Sequence, residues 1–584
     1  RAYAPFPAYP NIRGVGSDAT VILINGIPTN WEITQAVPPE NIERIEVLRG
    51  PSSALYGANA SGGVVNIITK EGGGKHKNSV SGGYGSFRTQ SFNVSSIGGV
   101  KNLYYSIAVT HKKSDGAKIV KNNIIPSITM IDGCKYNKWG AVLNMTYHVD
   151  NDSKISFLYN LFTNEYTRGR PNHGGNWERL FTSLIYDQRL TKMFDLKASI
   201  GCRYDDLLHR YDMGGVDYSP KMKRYSDYYE TPIELQLTGY VGFGNTITTG
   251  LFYNDQATDQ DYYSSSANEL IKEDEYKVRT IAGYLQDVWK PIRSLIITAG
   301  IRYDHWENYD NYFSSFIDDQ PKNSTHDNWS PKVGIRYNFM NFVSIWTNFA
   351  IGYKPPSPDQ LYKDSTDGGI PREPNPDLKP EKTYSYELGL DGGVGKLVQA
   401  KVVGFYNYTD DKILSWYSAD NVWINRNIGR TKSYGGELEL KIHLFEQWLV
   451  NANYTLNSTK IDKNPSNPEQ EGNWMPFCPE HKVNAGITFV LENILTLSGF
   501  ARYISLQHTN DDNIKYTDDG EDKYMTSSFV MDLKGILSLP SNWTSFSNID
   551  ILFGVDNLFD EEYRTYYIYE DPGRVYYCEL KMIF

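Results

Sequence analysis

Residues 297–304 read ITAGIRYD and alternate strictly between apolar side chains and side chains that are small, polar or charged. Such period-two alternation predicts a β-strand with two unlike faces. The same pattern occurs in LYYSIAVT at 103–110, in ELELKI at 437–442 and in VNAGITF at 483–489. From residue 77 to the C-terminus the chain repeats runs of about ten such residues, separated by connections, which predicts strands throughout.

The connections between these runs alternate between short and long. Short connections are predicted at 98–102, 149–153, 291–294, 340–342 and 445–447, and long ones at about 112–138, 206–225, 256–275, 307–326, 353–380, 460–480 and 506–527. In an antiparallel up-and-down sheet this alternation places the tight turns at one end and the long loops at the other.

The width of the predicted sheet indicates that it closes on itself. About 22 strands fit after residue 77, and an open sheet of that width would leave two unpaired edges. Tilted strands of about ten residues cross a bilayer with apolar side chains outside and polar ones inside. The predicted fold is an all-β membrane protein, a transmembrane barrel of about 22 antiparallel strands. A soluble propeller would repeat a motif about every 40 to 50 residues, and none occurs.

Composition excludes several functional classes. The 584 residues include 45 Tyr, 12 Trp and 49 Gly, and the formal net charge is −11, which argues against a nucleic-acid partner. No run approaches the roughly 18 apolar residues of a membrane-spanning helix. Four Cys are too few for a disulfide framework, although Cys134 and Cys478 can pair if the fold brings them together. No catalytic motif is present, so we expect no enzyme activity.

Residues 1–76 lack the strand pattern. They are rich in Gly and Pro and carry short apolar pieces at 21–24 and 64–68. This composition predicts a small α+β module that is too short to bury a sizeable core alone. A barrel of about 22 strands has a wide lumen, which is plugged in proteins of this size. We therefore expect residues 1–76 to form a plug domain inside the lumen of a barrel formed by residues 77–584.

The segment IERIEVLRGPSSALYGANASGGVVNIIT at 42–69 resembles the plug of TonB-dependent outer-membrane transporters. Upstream, IRGVG at 12–16 and VILINGIP at 21–28 are similar to the same plug, with Asn25 where Asp is commoner. Three barrel segments also resemble the family, namely NPDLKPEKTYSYELGL at 375–390, MPFCPEHKVNAG at 475–486 and VDNLFDEEY at 555–563. The matches begin part-way through a plug. The N-terminal half of the plug, with its TonB-binding segment, is therefore expected to precede Arg1.

The resemblance implies energy-coupled import of a scarce metal chelate across the bacterial outer membrane. A ferric siderophore is the first expectation, and cobalamin or haem is the alternative. Outside this class, the alternatives are a passive substrate-specific porin or a surface adhesin. The implied partners are the chelate, the TonB energy transducer through the N-terminal segment, and outer-membrane lipid with lipopolysaccharide. No cofactor is expected to be required.

Strand parity and the resemblance together predict a charge cluster between plug and barrel. Glu387 in YSYELGL and Glu437 in GGELELK alternate with leucines that face lipid, so both carboxylates should point into the lumen. Buried carboxylates need partners. The resemblance implies that these partners are Arg13 and Arg49, each of which directly precedes a glycine.

Two further sets of residues are candidates for binding. In the family, turns at the plug apex face the outer mouth, which implies ligand contacts for Asn30, Trp31 and Asn59. Acidic residues in predicted extracellular loops offer the several oxygen ligands that a structural calcium ion requires, with solvated loop charge as the favoured alternative. These residues are Asp205, Asp206, Asp212, Asp255, Asp259 and Asp261.

Overall fold

A computed structural model provides the coordinates. It describes residues 10–30, 37–118, 133–170, 173–211, 222–264, 267–314, 321–340, 342–364, 371–417, 422–492, 494–513, 524–540, 546–565 and 570–584. Among these residues, no helix is long and apolar enough to cross a membrane.

Four short strands precede the barrel. They are β1 (Thr20–Ile24), β2 (Ile27–Thr29), β3 (Ile42–Arg49) and β4 (Gly63–Thr69). They form one sheet in the order β2-β1-β4-β3, in which β1 is parallel to β4 and the other pairs are antiparallel. A short helix, α1 (Ser53–Tyr56), lies in the connection between β3 and β4. This sheet with its connections is the plug.

The rest of the chain forms a closed barrel of 22 antiparallel strands, which confirms the predicted fold class. In chain order the barrel strands are β5 (Lys77–Gly85), β6 (Thr89–Val100), β7 (Leu103–Ser114), β8 (Tyr136–His148), β9 (Ser153–Arg170), β10 (His173–Thr191), β11 (Phe194–Tyr211), β12 (Met222–Gly242), β13 (Asn245–Ser264), β14 (Leu270–Ile292), β15 (Leu295–Phe313), β16 (Ser324–Met340), β17 (Val343–Lys354), β19 (Glu381–Val394), β20 (Val398–Tyr417), β21 (Trp423–Leu444), β22 (Trp448–Lys463), β23 (His481–Leu491), β24 (Leu495–Ile504), β27 (Ser528–Pro540), β28 (Asn548–Asp556) and β29 (Val575–Ile583).

Three short strands and one helix lie in the outer connections. Helix α2 (Pro358–Tyr362) and strand β18 (Arg372–Glu373) belong to the connection between β17 and β19, and β18 pairs in parallel with β21. Strands β25 (Gln507–His508) and β26 (Tyr524–Met525) pair with each other in the connection between β24 and β27.

The barrel closes between its last and first strands. Tyr577 pairs with Gly85 and Ile583 pairs with Ser79. Beyond this ladder, Phe584 and Asn78 exchange both backbone hydrogen bonds, at 3.0 and 2.9 Å. The terminal strand therefore has no free edge, as a closing strand requires.

The two ends of the barrel differ in their connections. Alternate strand pairs are joined by tight connections at 101–102, 149–152, 192–193, 243–244, 293–294, 395–397 and 445–447. The opposite end carries the longer connections at 115–135, 355–380, 464–480, 505–527 and 557–574, parts of which lie outside the described residues, and a short one at 86–88. Short turns face the periplasm and long loops face outward in outer-membrane barrels. The end with the long connections is therefore the extracellular end.

Several predicted loops are wrong because the strands continue through them. Residues 206–225 and 256–275 were expected to be loops, but β11 and β12 cover half of the first range, and β13 and β14 cover most of the second. β14 alone has 23 residues, whereas about 9 to 11 suffice to cross a bilayer. Beyond the bilayer both faces of a strand meet water. The apolar alternation that marks a strand in the sequence is therefore lost there.

The plug has a small apolar cluster of its own, formed by Leu23, Ala60 and Val64, and a larger one that it shares with the barrel. Ile22, Ile24 and Ile67 of its sheet form one apolar cluster with Leu158 and Phe162 of the barrel wall. Plug and wall are thus packed as one body on this side. All four cysteines are free, including the buried Cys134 and Cys478, so the pairing that the sequence left open is not formed.

Candidate functional site at the plug and the outer mouth

Arg13 of the plug is buried between two barrel strands. Its Nε and Nη2 donate to the two carboxylate oxygens of Glu437 at 2.9 and 3.1 Å, and its Nη1 donates to Glu387. Its guanidinium also lies over the ring of Phe405, 4.5 Å from the centroid. The planar fork of arginine is suited to such two-point contact. Burial opposes the charge of Arg13, but its hydrogen bonds and charge attraction to Glu437 and Glu387 outweigh burial and raise its pKa.

Arg49 occupies the edge of the same cluster. Its Nη1 donates to Glu437 at 3.0 Å and to Glu439. The Arg49 side chain is 39% exposed, whereas that of Arg13 is 3% exposed. The structure thus brings all four predicted residues together and adds Glu439. Because the partly exposed pair is screened by water, Arg13 is the main anchor.

Gly50 allows the plug backbone to approach this cluster. Its φ is +80°, and a Cβ at this position would lie 2.6 Å from Oε1 of Glu387 and 3.3 Å from Nη1 of Arg13. A side chain here would therefore push apart the two charges that join plug and barrel. The glycine is required both by its backbone conformation and by the close contact.

A second ionic network between plug and barrel was not predicted from the sequence. Lys354 contacts Asp18 of the plug and donates to Glu381 at 3.2 Å. Lys412 donates to the other oxygen of Glu381 at 2.9 Å and to the backbone carbonyl of Val15 at 3.0 Å. Burial raises the pKa of Asp18, but the charges of Lys354 and Lys412 outweigh it and lower the pKa to about 2.

The apex of the plug is held by the outer half of the barrel. Arg302, which is buried, donates from Nη1 to the carbonyl of Leu55 in α1 at 3.0 Å and from Nε to Asp304 at 2.8 Å. The backbone N–H of Asn59 donates to the carbonyl of Tyr353 at 2.9 Å. These contacts fix the loop between α1 and β4 at the extracellular side of the plug.

The three predicted ligand contacts are placed differently. Asn59 is exposed at the apex with a left-handed backbone, at φ 65°. Asn30 is half-buried directly after β2. Trp31 lies outside the described residues. Asn59 therefore has the position expected of a ligand contact, and its role stays a prediction.

Above the apex, cationic and phenolic side chains line the lumenal wall from β9 to β14. Tyr166 and the Nδ1 atom of His209 are hydrogen-bonded at 3.0 Å, and the ring of Tyr211 lies 4.3 Å from that of His209. The ammonium of Lys272 lies 5.6 Å from the centroid of the Tyr262 ring. Other members of this wall are Arg168, His173, Arg179, Arg203 and Arg224. Part of its charge is neutralised, because Arg179 and Arg203 pair with Asp205, Arg203 also with Glu230, and Lys272 with Asp274 and Asp364. His209, Tyr211, Arg224, Tyr262 and Lys272 lie in stretches that were read as loops. The other members lie on strands, and no local pattern in the sequence singled them out.

The connection between β17 and β19 folds over this wall. Ser357 caps α2 with both hydrogen bonds of a capping box. Leu361 and Tyr362 pack against Trp306 and Phe313 of β15 in one buried apolar cluster. This segment therefore narrows the outer mouth and contributes to the vestibule above the plug.

The predicted calcium ligands are not brought together. Asp205 and Asp206 lie on opposite faces of β11, because adjacent strand residues alternate. Asp205 is buried against Arg179, with Nη2 at 2.6 Å from its Oδ2. Asp255, Asp259 and Asp261 lie on β13 rather than in a loop, and Asp212 lies outside the described residues. In the described part of the chain, no group of three or more His, Cys, Asp or Glu could hold a metal ion.

Two of these carboxylates belong to a row on the outer surface. Asp206 pairs across the strands with Asp227, and Asp227 pairs with Asp259. Glu178 and Glu275 extend the row at its two ends. The row thus spans five neighbouring strands with one acid on each, and it leaves the outer face of this wall strongly negative.

Two family models match the chain. The model described as TonB dependent receptor-like, beta-barrel, matches residues 133–558, and the TonB-dependent Receptor Plug Domain model matches residues 3–64. The chain therefore belongs to the TonB-dependent receptor family, as the sequence resemblance indicated. Members of this family are outer-membrane receptors and transporters rather than enzymes. The barrel accordingly lies in the bacterial outer membrane.

Similar proteins include receptors with different cargoes. The vitamin B12 transporter BtuB of Vibrio vulnificus (strain CMCP6) is 25% identical over 593 residues, which cover 97% of this chain and 84% of the relative. The ferrienterobactin receptor of Escherichia coli (strain K12) is 24% identical over 699 residues, which cover 98% of this chain and 87% of the relative.

Solved structures share the fold. The copper transporter OprC aligns with a TM-score of 0.80 at 18% identity, over 99% of this chain and 93% of its own. The siderophore receptor PirA from Acinetobacter baumannii aligns with a TM-score of 0.78 at 19% identity, over 98% of this chain and 92% of its own. At these identities the likeness concerns architecture and leaves the cargo open.

Proposed function

We propose that this receptor imports an anionic ferric siderophore through energy-coupled release of its plug. The observation that carries the proposal is the lumenal wall of cationic and phenolic side chains between the plug apex and the outer mouth. Relatives named as receptors for siderophores, such as the ferrienterobactin receptor, support the same class of cargo. The structural likeness to siderophore receptors is consistent with it.

The chemistry of the wall suits a polyanionic, aromatic chelate. Guanidinium and ammonium groups attract the negative oxygens of a ferric complex, and tyrosine rings stack on its aromatic groups. In a vestibule enclosed by protein, these attractions are less screened than at an open surface. The exposed Asn59 at the apex adds a neutral contact from below.

The plug makes a gated importer a better interpretation than a passive porin. Residues from Arg13 to Thr69 pair with or pack on several barrel strands. Passage of a large solute requires that some of these contacts open. The buried ion pairs favour one position of the plug while adding little net stability, because the cost of burying the charges offsets much of their attraction. We propose that the TonB transducer supplies the work of opening.

Cobalamin is the second candidate. It is favoured by the vitamin B12 transporter of Vibrio vulnificus, which is similar over 97% of this chain. Recognition of a bulky cargo with few charges would depend on shape and hydrogen bonds. Its affinity would then be nearly insensitive to salt, whereas binding of a polyanionic siderophore by the cationic wall should weaken as salt screens the charges.

Titration calorimetry of the purified receptor with ferric enterobactin and with cyanocobalamin separates the candidates. The proposal expects ferric enterobactin to bind, and replacement of Arg224 by Ala to weaken binding by about 1.5 to 3 kcal/mol. Lys277→Ala is the control, because Lys277 lies on the outer face of β14 and pairs with Asp310. Saturable binding of cyanocobalamin with no binding of ferric enterobactin would overturn the siderophore assignment.

A further inference from the structure

The outer face of β19 changes in character along the strand. Odd-numbered residues from Glu381 to Gly389 are buried in the lumen, so even-numbered residues point outward. From the periplasmic side these are Leu390, Leu388, Tyr386, Tyr384 and Lys382. The order is apolar, then phenolic, then cationic. This order matches the acyl, interfacial and headgroup layers of a membrane leaflet, from its centre to its outer surface.

The neighbouring strands continue the outermost two layers. Tyr384 pairs with Tyr408 of β20, Tyr408 pairs with Lys432 of β21, and Lys432 pairs with Lys460 of β22. The rings of Tyr384 and Tyr408 are stacked at 4.7 Å. Lys460 also points outward, because its neighbours Thr459 and Ile461 are buried. Two phenols and two ammonium groups therefore form one row across four strands.

A second row lies one step further out. Lys382 pairs with Asp410, and Asp410 pairs with Arg430. Together the two rows place four cations on the outer surface of β19 to β22, directly outside the tyrosines. We call this set the cationic patch: Lys382, Arg430, Lys432 and Lys460.

Carboxylates neutralise only part of the charge of the cationic patch. Asp410 accepts from Arg430 at 2.6 Å, and Asp462 accepts from Lys432 at 2.7 Å. The Arg430 and Lys432 side chains are still about a third exposed, at 35% and 34%. Lys460 lies over the ring of Trp474, 4.6 Å from its centroid. The patch therefore has an excess of positive charge and a face open to the lipid headgroups.

We infer that the cationic patch binds the phosphorylated sugar headgroup of the outer-leaflet glycolipid, lipopolysaccharide. Phosphates of this headgroup lie just outside the acyl layer, which is the depth of the four cations relative to the tyrosines. The ammonium groups pair with phosphate, the tyrosine rings pack against sugar, and the leucines below contact acyl chains. Each cation near an anionic membrane surface contributes about 1 kcal/mol.

Another wall of the barrel carries negative charge on its outer face, and this restricts the glycolipid site to one side. At the corresponding level of β11 to β13, one step outside Tyr204 and Tyr229, the outward residues are Asp206, Asp227 and Asp259. Carboxylates in this position repel phosphate. The glycolipid is therefore held on the β19 to β22 side, and the receptor is bound asymmetrically in its leaflet.

The test measures binding of rough lipopolysaccharide to the purified full chain in detergent, with Lys432→Gln/Lys460→Gln as the test variant. The matched control is Lys277→Gln/Arg279→Gln, which removes two outward cations from the acidic wall. We expect the test variant to bind roughly 20-fold more weakly and the control to bind as the parent does. Lipopolysaccharide stripped of its phosphates should bind the parent weakly, and inorganic phosphate at equal phosphate concentration should not compete.

A second variant, expected to change binding in the opposite direction, keeps the test valid if the lysine variant fails to fold. Asp410→Asn/Asp462→Asn removes the two neutralising carboxylates and is expected to strengthen binding. Equal binding by the parent, the lysine variant and the asparagine variant would overturn the inference. So would undiminished binding of the dephosphorylated material, or displacement of the glycolipid by inorganic phosphate.

Discussion

Arg13 and Glu437 are 424 positions apart in the sequence, yet Nε of the arginine donates to Oε1 of the glutamate at 2.9 Å within the barrel. Both side chains are almost fully buried, at 3% and 6% exposure. A buried pair of this kind fixes the position of the plug more than it stabilises it, because separating either charge from its partner is costly. The movement of the plug is therefore tied to a small number of identifiable contacts.

Replacement of Glu437 by Gln should loosen the plug. The change leaves the buried Arg13 without one of its two carboxylates, which costs about 3 to 5 kcal/mol when a buried pair is broken. Glu439→Gln is the matched control, because among the described residues Glu439 forms its ion pair with the partly exposed Arg49, and the substitution should cost under about 1 kcal/mol. Both costs are measured by unfolding the plug in urea and using its susceptibility to protease as the readout. Equal effects of the two variants would contradict the assignment of Arg13 as the main anchor.

The contact of Asp18 with Lys354 predicts a loss of plug stability at low pH. The pKa of Asp18 is lowered from 3.8 to about 2 in the folded protein. Its contribution is therefore complete above its unfolded pKa and is lost as the pH falls towards 2. We expect the parent to hold its plug better than Asp18→Asn at pH 5, with the difference vanishing near pH 2. If the difference in stability between the parent and Asp18→Asn instead grows as the pH falls, the prediction is wrong.

Gly50→Ala should separate steric contact from backbone conformation. The new Cβ would meet Glu387 at 2.6 Å, on a backbone with φ +80°. Gly74 has a similar φ of +74°, and a Cβ added there would have no atom of the described residues within 4 Å, so Gly74→Ala carries the backbone cost of about 1 to 2 kcal/mol alone. The thermal stability of Gly50→Ala is expected to fall further than that of Gly74→Ala. If the two variants are equally stable, the plug backbone at Gly50 does not lie in close contact with Glu387.

Arg302→Met should free the apex of the plug. The variant loses the hydrogen bond to Leu55 and leaves Asp304 buried without its cation. We expect faster hydrogen exchange at residues 53–60, corresponding to about 2 kcal/mol or more of lost protection. The double variant Arg302→Met/Asp304→Leu removes the stranded charge and should recover folding stability while leaving the apex loop free. Unchanged exchange at residues 53–60 would show that the loop is held by other contacts.

The ligand contacts at the apex can be tested on Asn59 alone. Ala would be strained at its φ of 65°, whereas Gly adopts that conformation freely. Asn59→Gly therefore removes the side chain without disturbing the loop, and it should weaken siderophore binding by about 0.5 to 1.5 kcal/mol. Replacing Asn30, Trp31 and Asn59 together is expected to weaken uptake further. Full uptake by the triple variant would mean that the plug apex does not recognise the cargo.

How far the sequence is informative depends on what surrounds each segment. Within the bilayer, one face of a strand meets lipid and the other meets the lumen, so alternation alone placed Glu387 and Glu437 on the inner side. Outside the bilayer both faces meet water, and the same strands looked like loops. The outer members of the cationic wall, such as His209 and Lys272, and the true location of Asp205 were missed for that reason. The acidic cluster that suggested calcium disappears once neighbouring residues are assigned to opposite faces of a strand.

The period of the side chains, the alternation of connection lengths and the plug motif are local properties. They were sufficient by themselves to determine a closed barrel of this size and its family. Contacts between plug and wall depend instead on the register of 22 strands and on the seating of the plug, which no local pattern encodes. Lys354 and Glu381 lie on neighbouring strands and pair with each other, and Lys354 also contacts Asp18 from the far end of the chain. Only tertiary structure decides such a network, because its charges can be buried only when all its partners are in place.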